Sequence, residues 1–136
     1  MSENLDLVRS IYAEWERGDW HSASWAHPQI EFVIADGPVP LSTVGVRDMA
    51  ESWRSWLNAW EGFGIRAEEF RELDDERVLV LHRYTGRGKS SGMALDEVHA
   101  KAAIVMHVRD GKVARLVGYN ERDRALADLG LAPEGE

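Results

Sequence analysis

Apolar positions near the start of the chain recur three and four apart, at Leu5, Val8, Ile11, Tyr12 and Trp15. That spacing predicts a helix with one buried face, and charged Arg9, Glu14, Glu16 and Arg17 fall mostly between those positions. Gly18 is placed to end it as a C′ glycine. Asp19 is placed to cap a second short helix running to about Ala26, closed by Pro28. Ile30-Glu31-Phe32-Val33-Ile34 alternates around β-branched residues and reads as a strand. Asp36 to Gly45, with Pro38, Pro40 and two glycines, reads as a loop. A third helical stripe follows at Val46, Met49, Ala50, Trp53, Trp56, Leu57 and Trp60. Arg47, Asp48, Glu51, Arg54 and Asn58 occupy its other side, and Gly62 and Gly64 are expected to terminate it.

Beyond Gly64 the reading changes to strands over about 63–72, 77–88 and 94–109. Asp74-Asp75 and the polar Gly86–Gly92 loop join them. The strongest local signal is Asp110-Gly111, set between the apolar runs Ala102–Val108 and Val113–Tyr119. Both residues accept positive φ, so a tight hairpin is expected there, with a last strand over about 112–119. Glu121 to Leu129 reads as a short closing helix, stopped by Gly130 and Pro133. The order is therefore α-α-β-α-β-β-β-β-α, an α+β domain with a curved antiparallel or mixed sheet wrapped around N-terminal helices. Such a sheet encloses a blind cone, and ligand pockets favour mouths of that kind.

The 136 residues suit a single domain, 1–136, large enough to bury about 68% of its unfolded surface. With no cysteine, neither disulfides nor thiolate metal sites support the fold. Met1-Ser2-Glu3-Asn4-Leu5-Asp6 has no signal-peptide pattern, and no run approaches the roughly 20 apolar residues of a membrane span. A net charge of −8 argues against a phosphate-backbone partner. The expectation is a cytoplasmic protein with neither nucleic-acid nor membrane partner. Six tryptophans are the unusual feature. Three lie between Trp15 and Trp25, three between Trp53 and Trp60. They suit core filling, or an aromatic-walled cavity for a flat ligand.

Several short patterns occur in a telling order. Gly18-Asp19-Trp20 follows the first helix, His27-Pro28-Gln29-Ile30-Glu31-Phe32 leads the first strand, and Gly45-Val46 opens the tryptophan helix. Asp75-Glu76-Arg77-Val78, Gly86-Arg87-Gly88, Arg109-Asp110-Gly111-Lys112-Val113 and Glu121-Arg122-Asp123-Arg124 follow. In that order they resemble the SnoaL-like group of the nuclear transport factor 2-like superfamily, across essentially the whole chain. The resemblance implies a cone-shaped α+β barrel, commonly a homodimer through the outer sheet face, in a subgroup where most members have no assigned reaction.

Ketosteroid isomerase-like members need a carboxylate base and two oxyanion donors. Counted from the shared landmarks, those places fall at Ile34, Ile11 and Ile104, none of which moves a proton. Tyr12 and Val33, one residue away, are expected to point to other faces. A positioned acid or base contributes about 10²–10⁴-fold, so losing all three removes that chemistry. If Ile104 points inward, so do Ala100, Ala102 and Met106, while His99, Lys101 and His107 point outward with Ala103 and Val105. On the last strand Leu116, Gly118 and Asn120 point inward. Gly118 either leaves cavity volume or permits strand curvature. The pocket is thus expected among Ile11 and Trp15, Phe32 and Ile34, and Trp53 and Trp56. Ala102, Ile104 and Met106, with Leu116, Gly118 and Asn120, would face them.

Epoxide hydrolase-like members set an arginine between carboxylates, but Arg83 has no inward acid two residues away. Dehydratase-like members use histidines and tyrosines around the cone. His82 and Tyr84 share a strand face by alternation, and that face is either inner or outer; with Asn120 they are the candidate catalytic groups. The five histidines show no metal-ligand spacing, and no metal or cofactor is expected. Gly86-x-Gly88 lacks the strand–loop–helix context of a phosphate loop. Three functions follow. The first is a pocket protein for a small hydrophobic or aromatic molecule. The second is an isomerase, cyclase or dehydratase acting on a polyketide-like or terpene-like substrate. The third is a non-catalytic dimeric interaction module.

Overall fold

The first apolar stripe forms α1, Glu3–Glu16, in a computed structural model that describes residues 3–20, 23–36, 41–88 and 101–131. α1 buries Val8, Ile11, Tyr12 and Trp15. Gly18 ends it at φ 83°, where a residue without Cβ meets no steric cost.

The expected second short helix is absent from the described residues that follow. Asp19, Trp20 and Ala23 are irregular, Ser24 and Trp25 turn, and Ala26 already begins β1, Ala26–Ile34. Sheet pairing overrides the capping signal: the Val113 amide donates to the Trp25 carbonyl at 2.8 Å, drawing this segment toward the sheet. Pro28, expected as a helix stop, lies instead where the β1 register shifts between Ala26 and Glu31, an irregularity that tolerates a residue without an amide hydrogen. A second difference is β2, Leu41–Val44, inside the expected loop; it pairs with β1 from Glu31↔Val44 to Ile34↔Leu41.

α2 spans Val46–Asn58, after which Trp60 opens β3, Trp60–Glu72, rather than continuing the helix. Pairing with β4, Arg77–Gly88, explains this, since Trp60 stands opposite Gly88 and Glu61 opposite Arg87. Gly62 and Gly64, expected as helix terminators, belong to β3. A Cβ on Gly64 would lie 2.8 Å from Thr85 Oγ1. β5, Ala102–Arg109, and β6, Lys112–Tyr119, meet at the expected hairpin, with Asp110 at φ 54° and Gly111 at φ 75°. α3, Arg122–Asp128, closes the chain. The expected strand segment 94–100, Lys89 to Gly92, His99 and Ala100 lie outside the described residues.

The six strands form one mixed sheet ordered β2-β1-β6-β5-β4-β3, antiparallel except for the β1–β6 pair. It is not closed, and the class is α+β. Alternation divides it cleanly. Val78, Val80, Ile104, Met106 and Leu116 pack toward α1. Leu79, Leu81, Ala103, Val105 and Val117 pack with Ala125 and Leu126 of α3. Ala103 and Val105 thus face outward as expected, but beneath the chain's own helix rather than toward solvent. His107 is half-buried and Lys101 exposed.

Two polar clamps hold α3. Asp36 Oδ1 accepts the Asn120 amide at 2.7 Å and Oδ2 accepts the Glu121 amide at 2.9 Å, completing backbone donors that a helix start leaves open. Arg122 is buried and donates to the His82 carbonyl at 2.9 Å and to Glu68 Oε1 at 2.7 Å. His82↔Ala102 is the last β4–β5 pair among the described residues, and this guanidinium serves the carbonyl there.

Candidate functional site

Between α2 and the inner sheet face lies a cavity of about 460 Å³. Trp15 of α1 and Trp20 beyond it, Trp53 and Trp56 of α2, Phe63 of β3 and Tyr84 of β4 supply its aromatic walls. These rings brace one another. Trp15 stacks on Trp20 at 5.6 Å and meets Trp53 edge-on at 5.4 Å. Phe63 and Trp56 contact Tyr84 at 5.4 and 5.9 Å, separations typical of favourable aromatic pairs. The sheet contributes Phe32 and Ile34, Ile104, and Leu116 and Gly118. Ser52, Ser55, Tyr84 and Asn120 carry hydroxyl and amide groups, the four tryptophans carry indole N–H donors, and no charged residue stands among the described lining residues.

Of the residues expected here, Trp15, Phe32, Ile34, Trp53 and Trp56 line the cavity from the helices and β1. Ile104, Leu116, Gly118 and Asn120 line it from the other strands. Ile11, Ala102 and Met106 do not; they are fully buried beyond it. Trp20 and Phe63 escaped the sequence reading. Trp20 is expected in a helix that does not form, and Phe63 opens the expected 63–72 strand, for which the pattern assigns no inner face. Their aromatic character was the available signal. At Gly118 a Cβ would stand 3.0 Å from Ile34 Cδ1, so the missing side chain is partly replaced by Ile34 leaning in.

The structure settles which face of β4 carries His82 and Tyr84. Val78 and Val80 belong to the inner cluster, and His82 and Tyr84 continue that row. Tyr84 borders the cavity, while His82 sits one step deeper, fully buried, its ring 4.8 Å from that of Tyr84. Tyr12, expected on another face, points at the sheet because α1 buries a stripe wide enough for Ile11 and Tyr12 together. Its hydroxyl lies 2.8 Å from His82 Nδ1. Burial, then the charge of Arg122, lowers the His82 pKa to about 3, so the imidazole is neutral at pH 7. Burial also raises Tyr12 well above the usual phenol range, with Tyr84 and Glu16 adding to it. The Tyr12 hydroxyl and His82 Nδ1 share one hydrogen bond, and in either tautomer Nε2 is a buried atom without a partner among the described residues.

Burial, with the Asp36 carboxylate second, raises the Tyr84 pKa. Asp36 itself is engaged by two backbone amides. Ile34 and Ile104 stand in the cavity wall where an isomerase would carry its acid and base. Arg83 Nε pairs with Glu68 Oε2 at 2.7 Å on the exposed side, away from the cavity. Among the described residues no group of three histidine or acidic side chains is placed to hold a metal ion, and no helix is long and apolar enough to cross a membrane.

The fold has close counterparts. A nuclear transport factor 2-like protein of unknown function from Burkholderia pseudomallei is 18% identical, with a TM-score of 0.73, covering 93% of this chain and 97% of its own. TerC, co-crystallised with polyporic acid, is 22% identical at a TM-score of 0.69, covering 94% and 98%. A Xanthomonas campestris protein named as a candidate polyketide cyclase is 15% identical at 0.64, covering 93% and 96%. No curated protein matches in sequence. The model of the SnoaL-like domain matches residues 8–116, most of the sheet and both inner helices, and the chain belongs to that family.

Proposed function

We propose that this protein binds a small, flat, largely apolar or aromatic molecule between α2 and the sheet. One observation carries the reading: a cavity of about 460 Å³ walled by tryptophans and branched aliphatic side chains. Burying about 150–250 Å² of aromatic surface at ~25 cal/mol/Å² contributes about 4–6 kcal/mol. That corresponds to a dissociation constant from about a millimolar to tens of micromolar. Titration with naphthalene, followed by tryptophan fluorescence, should give saturable quenching in that range, and Trp56→Ala should weaken it about 10-fold. Absence of saturable quenching by both naphthalene and nitrobenzene would overturn the reading.

A second reading is a small-molecule isomerase, cyclase or dehydratase acting on a polyketide-like or terpene-like compound. The buried Tyr12–His82 pair favours it, because an apolar core gains little from a histidine whose Nε2 has no partner among the described residues. Where turnover of such a compound is found, His82→Ala and Asn120→Ala should each lower it; unchanged turnover in both would remove their roles.

A further inference from the structure

The cavity is not uniformly apolar: uncharged polar groups interrupt its wall. Tyr84 and Asn120 reach it from neighbouring parts of the inner face. Both side chains border the space that a ligand would occupy. Each group can both donate and accept. An edge of this kind complements a hydroxyl or carbonyl on an otherwise flat hydrocarbon body.

Charge narrows the choice. No lysine, arginine or histidine stands among the described lining residues, and the buried Arg122 guanidinium behind His82 is already paired with Glu68. A carboxylate is instead stationed at this rim, since Asp36 is bonded to the backbone amide of Asn120 at 2.7 Å. An anion entering would lose its water, meet no cation among the described lining residues and lie near that carboxylate. Resting on the binding role above, we infer that the cavity takes a phenol or enol in its uncharged form, with Tyr84 and Asn120 as its polar edge, and excludes the corresponding anion. Tyr84 already reports on this medium: it is itself a phenol in the wall, and burial together with Asp36 disfavours its ionised form. A neutral phenol O–H can both give a hydrogen bond to Asn120 or Tyr84 and take one. A phenolate can only accept.

The probe is 4-nitrophenol, whose neutral and ionised forms absorb at different wavelengths, with nitrobenzene as the analogue lacking the hydroxyl. Titrated into the intact protein on either side of the probe's own ionisation, the neutral form should bind at least about 10-fold more tightly than the anion. The bound probe should then ionise at least about one pH unit higher than the free probe. Tyr84→Phe and Asn120→Leu should each weaken the neutral phenol about 3–10-fold while leaving nitrobenzene within about 2-fold. The absorbance of the probe on the unmutated protein stands whether or not either variant folds. Equal or tighter binding of the anion overturns the inference. So do variants that weaken nitrobenzene as much as the phenol. In both cases nitrobenzene still binds, and the binding role survives. Failure of nitrobenzene, naphthalene and 4-nitrophenol to bind removes the role and the inference together.

Discussion

α1 and α2 lie on the same face of the sheet and carry comparably regular apolar stripes, yet they are buried differently. α1 sinks Val8, Ile11, Tyr12 and Trp15, whereas α2 buries Met49 alone. Trp53, Trp56 and Leu57 of the α2 stripe border the cavity. Periodicity therefore tells which side of a helix turns inward, and not whether other atoms fill the space in front of it. The most direct way to break this contrast is a matched truncation in each helix. Ile11→Ala, at a site 1% exposed, should cost about 2–5 kcal/mol. Leu57→Ala should cost less than about 1 kcal/mol, because its neighbours are already partly absent. Urea unfolding measures both, and equal losses would mean that α2 is packed like α1.

The same contrast marks where the sequence was legible. Alternation placed Ile104, Met106, Leu116 and Gly118 on one side of the sheet, and Asp110-Gly111 located its central hairpin, because both are local signals. The α2 tryptophans were recognisable as a pocket wall only as one of two options, core or cavity, since a stripe looks the same in either. The second helix failed at Trp25, whose carbonyl is taken by Val113 from a distant strand. β2 escaped because Leu41–Val44 follows a proline-rich segment and gains its order from β1. His82 and Tyr84 shared a face by alternation, but the choice between inner and outer depended on which apolar row α3 covers. No local pattern reveals that.

The packed side of the comparison should also show in its pH response. His82 has a folded pKa of about 3 against an ordinary 6.5, so the unfolded chain binds the extra proton first. The stability from keeping it neutral is complete above about pH 6.5 and is lost as pH falls toward 3, at about 1 kcal/mol per pH unit. His107 is shifted down as well, by its partial burial first, so the informative quantity is a difference between proteins. Tyr12→Phe combined with His82→Leu removes both members of the buried pair without leaving either polar group unpartnered. It should flatten the stability profile between about pH 6 and 5, above the range where the lowered carboxylates of Glu68 and Asp74 titrate. An unchanged slope in that double variant would show that His82 takes up its proton in the folded protein as readily as in the unfolded chain, contrary to its burial. Ligand binding at α2 should respond much less than stability does, because the pair stands behind the cavity wall.

The smallest effect is expected at the boundary between the packed and hollow regions. Gly118 is not held at positive φ, so alanine meets no backbone penalty there. Its Cβ would meet Ile34 Cδ1 at 3.0 Å, the free end of a flexible side chain, and next the Val33 carbonyl at an ordinary 3.8 Å. Ile34, which itself lines the cavity, must yield by a few tenths of an ångström. Gly118→Ala should therefore leave unfolding free energy within about 0.5 kcal/mol and weaken naphthalene about 2–3-fold, as volume is lost where the ligand would rest. A solid core would respond the other way round. There the added methyl would cost about 1–3 kcal/mol, and any effect on binding would follow from unfolding alone. Measuring affinity and stability on the same variant separates the two, and a stability loss without a change in affinity would place Gly118 with α1 rather than α2.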